Sequence, residues 1–303
     1  MDILSVSNVS KAFGNNQIIN DMSFSVPEKS VFGFIGANGA GKTTTMKMIL
    51  GLLKVDAGEI KVGNEIVSYG QNKTNRMIGY LPDVPEYYNF MTPMEYLLLC
   101  GEITGMEKKD AKDQAEKLLK LVGLDQHKKR IRGFSRGMKQ RLGIAQALLH
   151  RPKLLICDEP TSALDPAGRK EILDILSSVK DETTVIFSTH ILSDVERICD
   201  HVALLHDGRI AISGTLDEIR SRRRATGFEV EFANAKNAKR AFDELSELFA
   251  DGILDGTTIR MNDKSNCEMR RAMQMLSGSV YEVHRMEMRE PTLEDLFMEV
   301  TGA

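Results

Sequence analysis

The 303-residue sequence contains no tryptophan, only eight prolines and only four cysteines. Cys100, Cys157, Cys199 and Cys267 are widely scattered, with no C-x-x-C pair and no histidine at metal-ligand spacing. Neither a disulfide framework nor a zinc site is therefore expected, and reduced thiols in a cytosolic chain are the plain reading. No apolar run approaches the roughly 18 residues needed to cross a bilayer, so no membrane-spanning helix is expected. The opening MDILSVSNVSKAFG lacks a basic segment followed by an apolar one, so no export signal is expected either. Net charge is also small, at −3. From Ser221 onward there are 12 basic and 15 acidic residues, which accounts for the whole excess. A balanced remainder argues against nucleic acid held by bulk charge. The short basic runs HKKRIR (127–132) and SRRR (221–224) read as solvated surface.

What is present describes a globular protein: 42% hydrophobic and 27% charged residues, in a chain long enough for two domains. The first 85 or so residues read as short strands and turns around one strong element. VFGFI (31–35) is a buried strand, and KTTTMKMILGLL (42–53) has helical spacing after a glycine loop. Helical patterns fill about 87–150, with a capping box at Thr92-Pro93-Met94-Glu95 and helices over 111–124 and 138–150. Parallel-strand signals return in KLLICD (153–158), TTVIFST (183–189) and HVALLHDG (201–208). SRRRATG (221–227) marks a break between a larger domain, 1–220, and a small accessory domain, 228–303. The latter reads β-α-β-β-α-β, the ferredoxin-like order, and ends in a helix over 292–300 capped by Thr292.

GANGAGKTT (36–44) fits G-x-x-x-x-G-K-[ST] in the strand–loop–helix setting that the motif requires. Backbone N–H groups of Asn38, Gly39, Ala40 and Gly41 wrap phosphate oxygens, at a helix N-terminus that continues into Thr44. Lys42 reaches the β- and γ-phosphates and the Thr43 hydroxyl ligates Mg²⁺. LLICDEP (154–160) is an apolar strand ending in two acids. Asp158 suits Mg²⁺ through its water shell, and Glu159 suits a base that orients or deprotonates the attacking water. ATP and Mg²⁺ are the expected cofactors.

With these motifs in order, residues 1–220 resemble the ATPase subunit of ATP-binding cassette transporters. FSRGMKQR (134–141) stands at the signature loop, SALD (162–165) at the D-loop, His190 of FSTH at the switch histidine, and Phe13 of KAFG at the adenine-stacking aromatic. The resemblance implies a P-loop NTPase core with an antiparallel β subdomain and an inserted helical subdomain. It also implies a head-to-tail pair, a homodimer or a heterodimer with a paralogue, in which Ser135 and Gly137 touch the γ-phosphate held by the other subunit. Membrane-spanning permease subunits are the implied partners, on the inner face of the cell membrane. The tail EPTLEDLFMEVTG (290–302) is similar to subunits of bacterial drug and antibiotic-peptide exporters. The competing reading is a related soluble ATPase acting on nucleic acid or ribosomes. It lacks support, since neither a second cassette nor a long coiled-coil insertion is present.

The sequence departs from the family at Arg136 (usually glycine), Met138 (usually glutamine) and Asp83 (usually glutamine). Asp83 is either a Mg²⁺ ligand acting through water or a loop acid, and the sequence leaves both open. Tyr87, Tyr88, Phe90 and Met91 follow where such transporters receive a helix of the membrane subunit; some of the four grip that partner and some staple the helical block to the core. Met269, Met273, Met286 and Met288 raise a copper question, but thioethers at such spacing read as core packing.

Overall fold

The computed structural model describes every residue except 71–72, 127–128, 222–226, 250, 263–265, 279, 290–292 and 302–303. The chain divides into two compact units, Met1–Leu216 and Asp217–Ala303.

The first unit opens with an antiparallel hairpin of β1 (Asp2–Phe13) and β2 (Asn16–Pro27). β3 (Val31–Ile35) leads into α1 (Lys42–Ile49), followed by β4 (Ala57–Val62), β5 (Glu65–Ile66) and β6 (Ile78–Leu81). Three helices come next: α2 (Pro93–Ile103), α3 (Lys108–Leu121) and α4 (Arg136–Leu148). Then β7 (Leu154–Asp158), α5 (Pro166–Ser178), β8 (Thr184–Thr189) and α6 (Leu192–Ile198) alternate. β9 (His201–His206) and β10 (Arg209–Thr215) follow, and α7 (Leu216–Ser221) begins at the last residue of this unit and lies otherwise in the second.

Two sheets result. The antiparallel one has the order β2-β1-β4-β5, and the six-stranded one has the order β10-β9-β3-β8-β7-β6. In the latter only β10 runs antiparallel. Its central strands VFGFI, LLICD and TVIFST are buried at every residue, which is why they read as continuous apolar runs instead of alternating ones. A single buried cluster joins the sheets, from Leu4, Val6 and Phe24 on one to Phe32, Phe34, Ile156 and Ile186 on the other. The Phe24 ring lies 5.9 Å from Phe32 and 5.3 Å from Phe34, within the range of favourable aromatic pairs.

Local chemistry sets the element ends. The expected capping box forms: the Thr92 hydroxyl accepts from the Glu95 N–H at 3.3 Å, and the Glu95 carboxylate accepts from the Thr92 N–H at 2.8 Å. Ser135 caps α4 by accepting from the Met138 N–H at 3.2 Å, so that helix starts at Arg136, two residues ahead of the expected 138. The helix expected over 42–53 stops at Ile49. Gly51 turns left-handed (φ +65°), and the Leu52 N–H donates back to the Lys47 carbonyl. The short opening strands expected from the sequence are instead two twelve-residue strands, whose register shifts keep the long hairpin twisted.

The second unit contains β11 (Gly227–Phe232), α8 (Ala235–Glu244), α9 (Ser246–Phe249), β12 (Gly252–Asp255), β13 (Thr258–Asn262), α10 (Asn266–Ser277), β14 (Val283–Met288) and α11 (Leu293–Thr301). The sheet is antiparallel, in the order β12-β13-β11-β14. Phe228, Val230 and Phe232 meet Ala238, Ala241, Ile259 and Ala272 in its core, with Met269, Met286 and Met288 packed against them and Met273 exposed. The residues 238–248 expected as one helix form two, broken at Leu245. Most of the SRRRATG break and the Thr292 cap lie outside the described residues.

Among the described glycines, the closest approach to another backbone is at Gly79, where β6 meets α4. A Cβ built on Gly79 would lie 2.1 Å from the Ala147 carbonyl oxygen, which no side-chain movement relieves. Gly79→Ala is expected to lower the unfolding free energy by about 1–3 kcal/mol or more, read as a drop in urea midpoint. An unchanged midpoint would show that α4 is not anchored at this contact.

Candidate functional site

β3, β8 and β7 are neighbours in the parallel sheet, so their carboxyl ends open at one edge, the usual position for a ligand in such sheets. Residues 36–41 form the loop between β3 and α1. Gly41 is held at φ +109°, and a Cβ there would meet Ile19 Cδ1 at 2.5 Å, so only glycine fits. Lys42 is the first residue of α1 and is buried. Its ammonium donates to the Gly36 carbonyl at 2.7 Å and the Ala37 carbonyl at 3.3 Å, and pairs with Glu159 Oε1 at 3.1 Å.

The two acids after β7 diverge. Asp158 is buried; its Oδ2 accepts from the Thr43 hydroxyl at 2.8 Å and its Oδ1 from the Ser188 hydroxyl at 2.6 Å. Glu159 adopts a left-handed conformation (φ +48°) that turns the chain off the strand end. Its N–H donates to Ser188 Oγ at 3.0 Å, and its carboxylate lies between Lys42 and His190, whose Nδ1 is 2.9 Å from Oε2.

An open cavity of about 450 Å³ lies over these groups. Of the residues expected at the site, Phe13, Asn38, Gly39, Gly41, Lys42, Thr43, Thr44, Asp83, Glu159 and His190 line it. Ser162, the first residue of the SALD stretch, lines it too, as does Ile18, which no motif marked. Ala40 packs against the core cluster, and Asp158 sits behind Thr43. Phe13 is exposed, with the Lys11 ammonium 5.5 Å from its ring centre. A larger surface depression of about 650 Å³ beside Lys117 and Arg151 contains none of these groups.

Ser135 and Gly137 are not brought to this cavity. They lie at the start of α4, where Gly137 has no steric reason to be glycine: a Cβ there would meet nothing nearer than Leu164 Cδ2 at 3.9 Å. Between them, Arg136 pairs with Asp83 at 3.2 Å. Partial burial pushes the Asp83 carboxyl above its ordinary pKa; Arg136 pulls it down, and Asp158 and Glu159 add to the rise. Of the four residues that follow, the Tyr87 hydroxyl donates to the Lys139 carbonyl at 2.6 Å and so staples the loop to α4. Tyr88 and Phe90 are exposed, and Met91 is half-buried, its carbonyl accepting from the Ile131 N–H.

Ser188 is the residue that sequence reasoning missed. Its signal was a hydroxyl inside the buried strand TVIFST, where a polar group must find a partner. It finds Asp158 and Glu159.

A phosphate-sized glycine loop between buried strand and helix, Lys-Thr at its end, and an acid pair on a nearby strand define a P-loop nucleoside triphosphatase. The family profile described as "ABC transporter" matches residues 19–162, and that of the "ATP-binding protein DrrA1-3-like, C-terminal domain" matches 214–301. The chain is 37% identical to the uncharacterised ABC transporter ATP-binding protein YxlF of Bacillus subtilis, over 99% of this chain and 100% of the relative. It is 34% identical to the bacitracin transport ATP-binding protein BcrA of Bacillus licheniformis, covering 99% and 97%. With the linearmycin resistance ATP-binding protein LnrL of Bacillus subtilis it shares 32%, covering 99% and 98%. A solved ATP-binding subunit of an ABC transporter superposes with a TM-score of 0.66 at 33% identity, covering 73% of this chain and 92% of that one. A nucleotide-free ATP-binding cassette does so with a TM-score of 0.66 at 26%, covering 73% and 94%. The chain belongs to the family of ABC transporter ATP-binding proteins: it is an ATPase subunit coupled to transport.

Ser188→Ala removes the hydroxyl donor to a carboxylate oxygen of Asp158 and leaves the Glu159 N–H with only the Ser188 carbonyl, at 3.2 Å. Unfolding free energy is expected to fall by about 1–3 kcal/mol, with ATP hydrolysis reduced alongside. Unchanged urea midpoint and turnover would show that these bonds do not position the acids.

Proposed function

We propose that this protein is the energy-coupling subunit of a bacterial exporter, in which two ATPase subunits close head to tail on ATP and reopen after hydrolysis. The observation that carries the reading is the Glu159 carboxylate held between Lys42 and His190, beside the Thr43–Asp158 pair. In this reading Lys42 and the loop N–H groups bind the β- and γ-phosphates, Phe13 stacks on adenine, and Glu159, positioned by His190, takes up the proton of the attacking water. Thr43 Oγ1 and the Asp158 carboxylate are hard oxygen donors that suit Mg²⁺. Among the described residues no group of three acidic, histidine or cysteine side chains forms a metal cage. Such a sparse donor set fits a cation held largely by phosphates and water. When bound, Mg²⁺ supplies charge neutralisation across the β- and γ-phosphates.

Gly137 supports the composite site, because a glycine that its own chain does not require leaves room for another subunit's nucleotide. The α4 N-terminus offers that anion unpaired N–H groups. Relatives named for bacitracin transport and linearmycin resistance support export of an antibiotic-like cargo. Exposed Tyr88 and Phe90 suit a helix of a membrane-spanning permease, which would hold this subunit at the inner face of the membrane. Pull-down from solubilised membranes is expected to recover one polytopic protein; recovery of RNA or ribosomes in its place would overturn the reading.

Gly137→Asp tests the composite site. A carboxylate about 4 Å from the γ-phosphate costs on the order of 4 kcal/mol per charge pair at an effective dielectric of 20. ATP binding to the monomer should survive, whereas ATP-driven dimerisation and hydrolysis should be lost. Mixing Gly137→Asp with Lys42→Ala should return one intact site, built from the P-loop of the first and the signature of the second. A Gly137→Asp protein that dimerises and hydrolyses normally refutes the arrangement.

A further inference from the structure

Two charged residues where the resemblance leads one to expect uncharged ones, Asp83 and Arg136, meet in this chain. Arg136 Nη2 donates to Asp83 Oδ1 at 3.2 Å. The same loop is fastened to the same helix twice more. The buried Gln140 amide donates to the Asp83 carbonyl at 2.7 Å, and the Tyr87 hydroxyl donates to the Lys139 carbonyl at 2.6 Å. Packing closes the contact, since a Cβ on Gly143 of α4 would lie 2.4 Å from Leu81 Cδ1 and 2.8 Å from the Tyr87 hydroxyl. Asp83 thus lines the nucleotide cavity yet is fastened, through side chain and backbone, to the first turns of α4.

We infer that Asp83 is a positioning residue for the signature loop, acting through Arg136, and not a metal ligand. Alone, each charge is a liability. A bare carboxylate at 83 repels phosphate in its own cavity, and a free guanidinium at 136 swings into the anion site that Ser135 and Gly137 offer the other subunit. Paired, they cancel, and the guanidinium stays on its own chain's side of α4. This leaves the Ser135–Gly137 edge open. A nucleotide beside Asp83 is thereby linked, within one chain, to the loop that meets the nucleotide of the other. This inference rests on the composite-site reading above.

A double-mutant cycle of Asp83→Asn, Arg136→Gln and both together tests it, in the full chain carrying Glu159→Gln so that ATP is not consumed. The dimer dissociation constant with MgATP is read by sedimentation, and Mn²⁺ retention by the ATP-loaded monomer is read by electron paramagnetic resonance. The pair is half exposed, so each single change is expected to weaken dimerisation only about two- to five-fold. The double variant should be no weaker than the worse single, and Arg136→Lys should retain the parent's affinity. Mn²⁺ affinity and urea midpoints should stay at the parent value throughout. Additive losses, no loss in either single variant, or Mn²⁺ release specific to Asp83→Asn would each overturn the inference. The control is Gly137→Asp in the same background. If it still dimerises, the composite site falls and this inference with it; if it does not, while the cycle variants match the parent, only the present inference falls.

Discussion

The Lys42 ammonium is held by two loop carbonyls and one carboxylate, and the competition between anions for it organises the rest of the site. Its side chain is only 6% exposed and that of Glu159 only 14%, so neither charge is left to water. A buried ammonium needs an anion, and without phosphate the nearest one is the prospective base itself. ATP supplies a stronger claimant. In the proposed reading, Lys42 then exchanges Glu159 for phosphate oxygens, and Glu159 keeps only His190, in position to receive a proton. On that reading, binding and arming of the base are one exchange, which confines a carboxylate released from Lys42 to the loaded state.

That exchange requires residues far apart in sequence to hold sub-ångström relations, and the parallel sheet provides them. Thr43 and Asp158 are 115 positions apart, and Ser188 and Asp158 are 30 apart. Placing β8 between β3 and β7 brings all three strand ends to one edge. Rigid, fully buried strands fix the acids, while the left-handed turn at Glu159 separates the carboxylate facing Thr43 from the one facing Lys42. The loop after β6 then extends the site to the start of α4, so the same sheet positions both halves of what a head-to-tail pair would share.

The chemistry at fixed spacing was legible in the sequence: the glycine loop, the acid pair, the Thr92 capping box and the buried strands. Each depends on residues close together in the chain. What escaped depends on tertiary geometry. The hydroxyl of Ser188 acquires meaning only once β7 lies beside β8. Helix α1 ended early because a left-handed glycine outweighed an apolar pattern that still looked helical through residue 53. Ser135 and Gly137 are recognisable by motif, yet within one chain they stand apart from the cavity. The Asp83–Arg136 pair crosses 53 positions, and no local pattern announces it.

The central claim is tested most directly by titrating MgATP into Glu159→Gln and following turnover on the same protein. The change keeps the side chain's shape and removes the charge that competes for Lys42. The account predicts nucleotide affinity at or above that of the parent, with hydrolysis slowed by about 10²–10⁴. Weakened ATP binding with turnover preserved would contradict it, by showing that Glu159 serves the nucleotide and not the water.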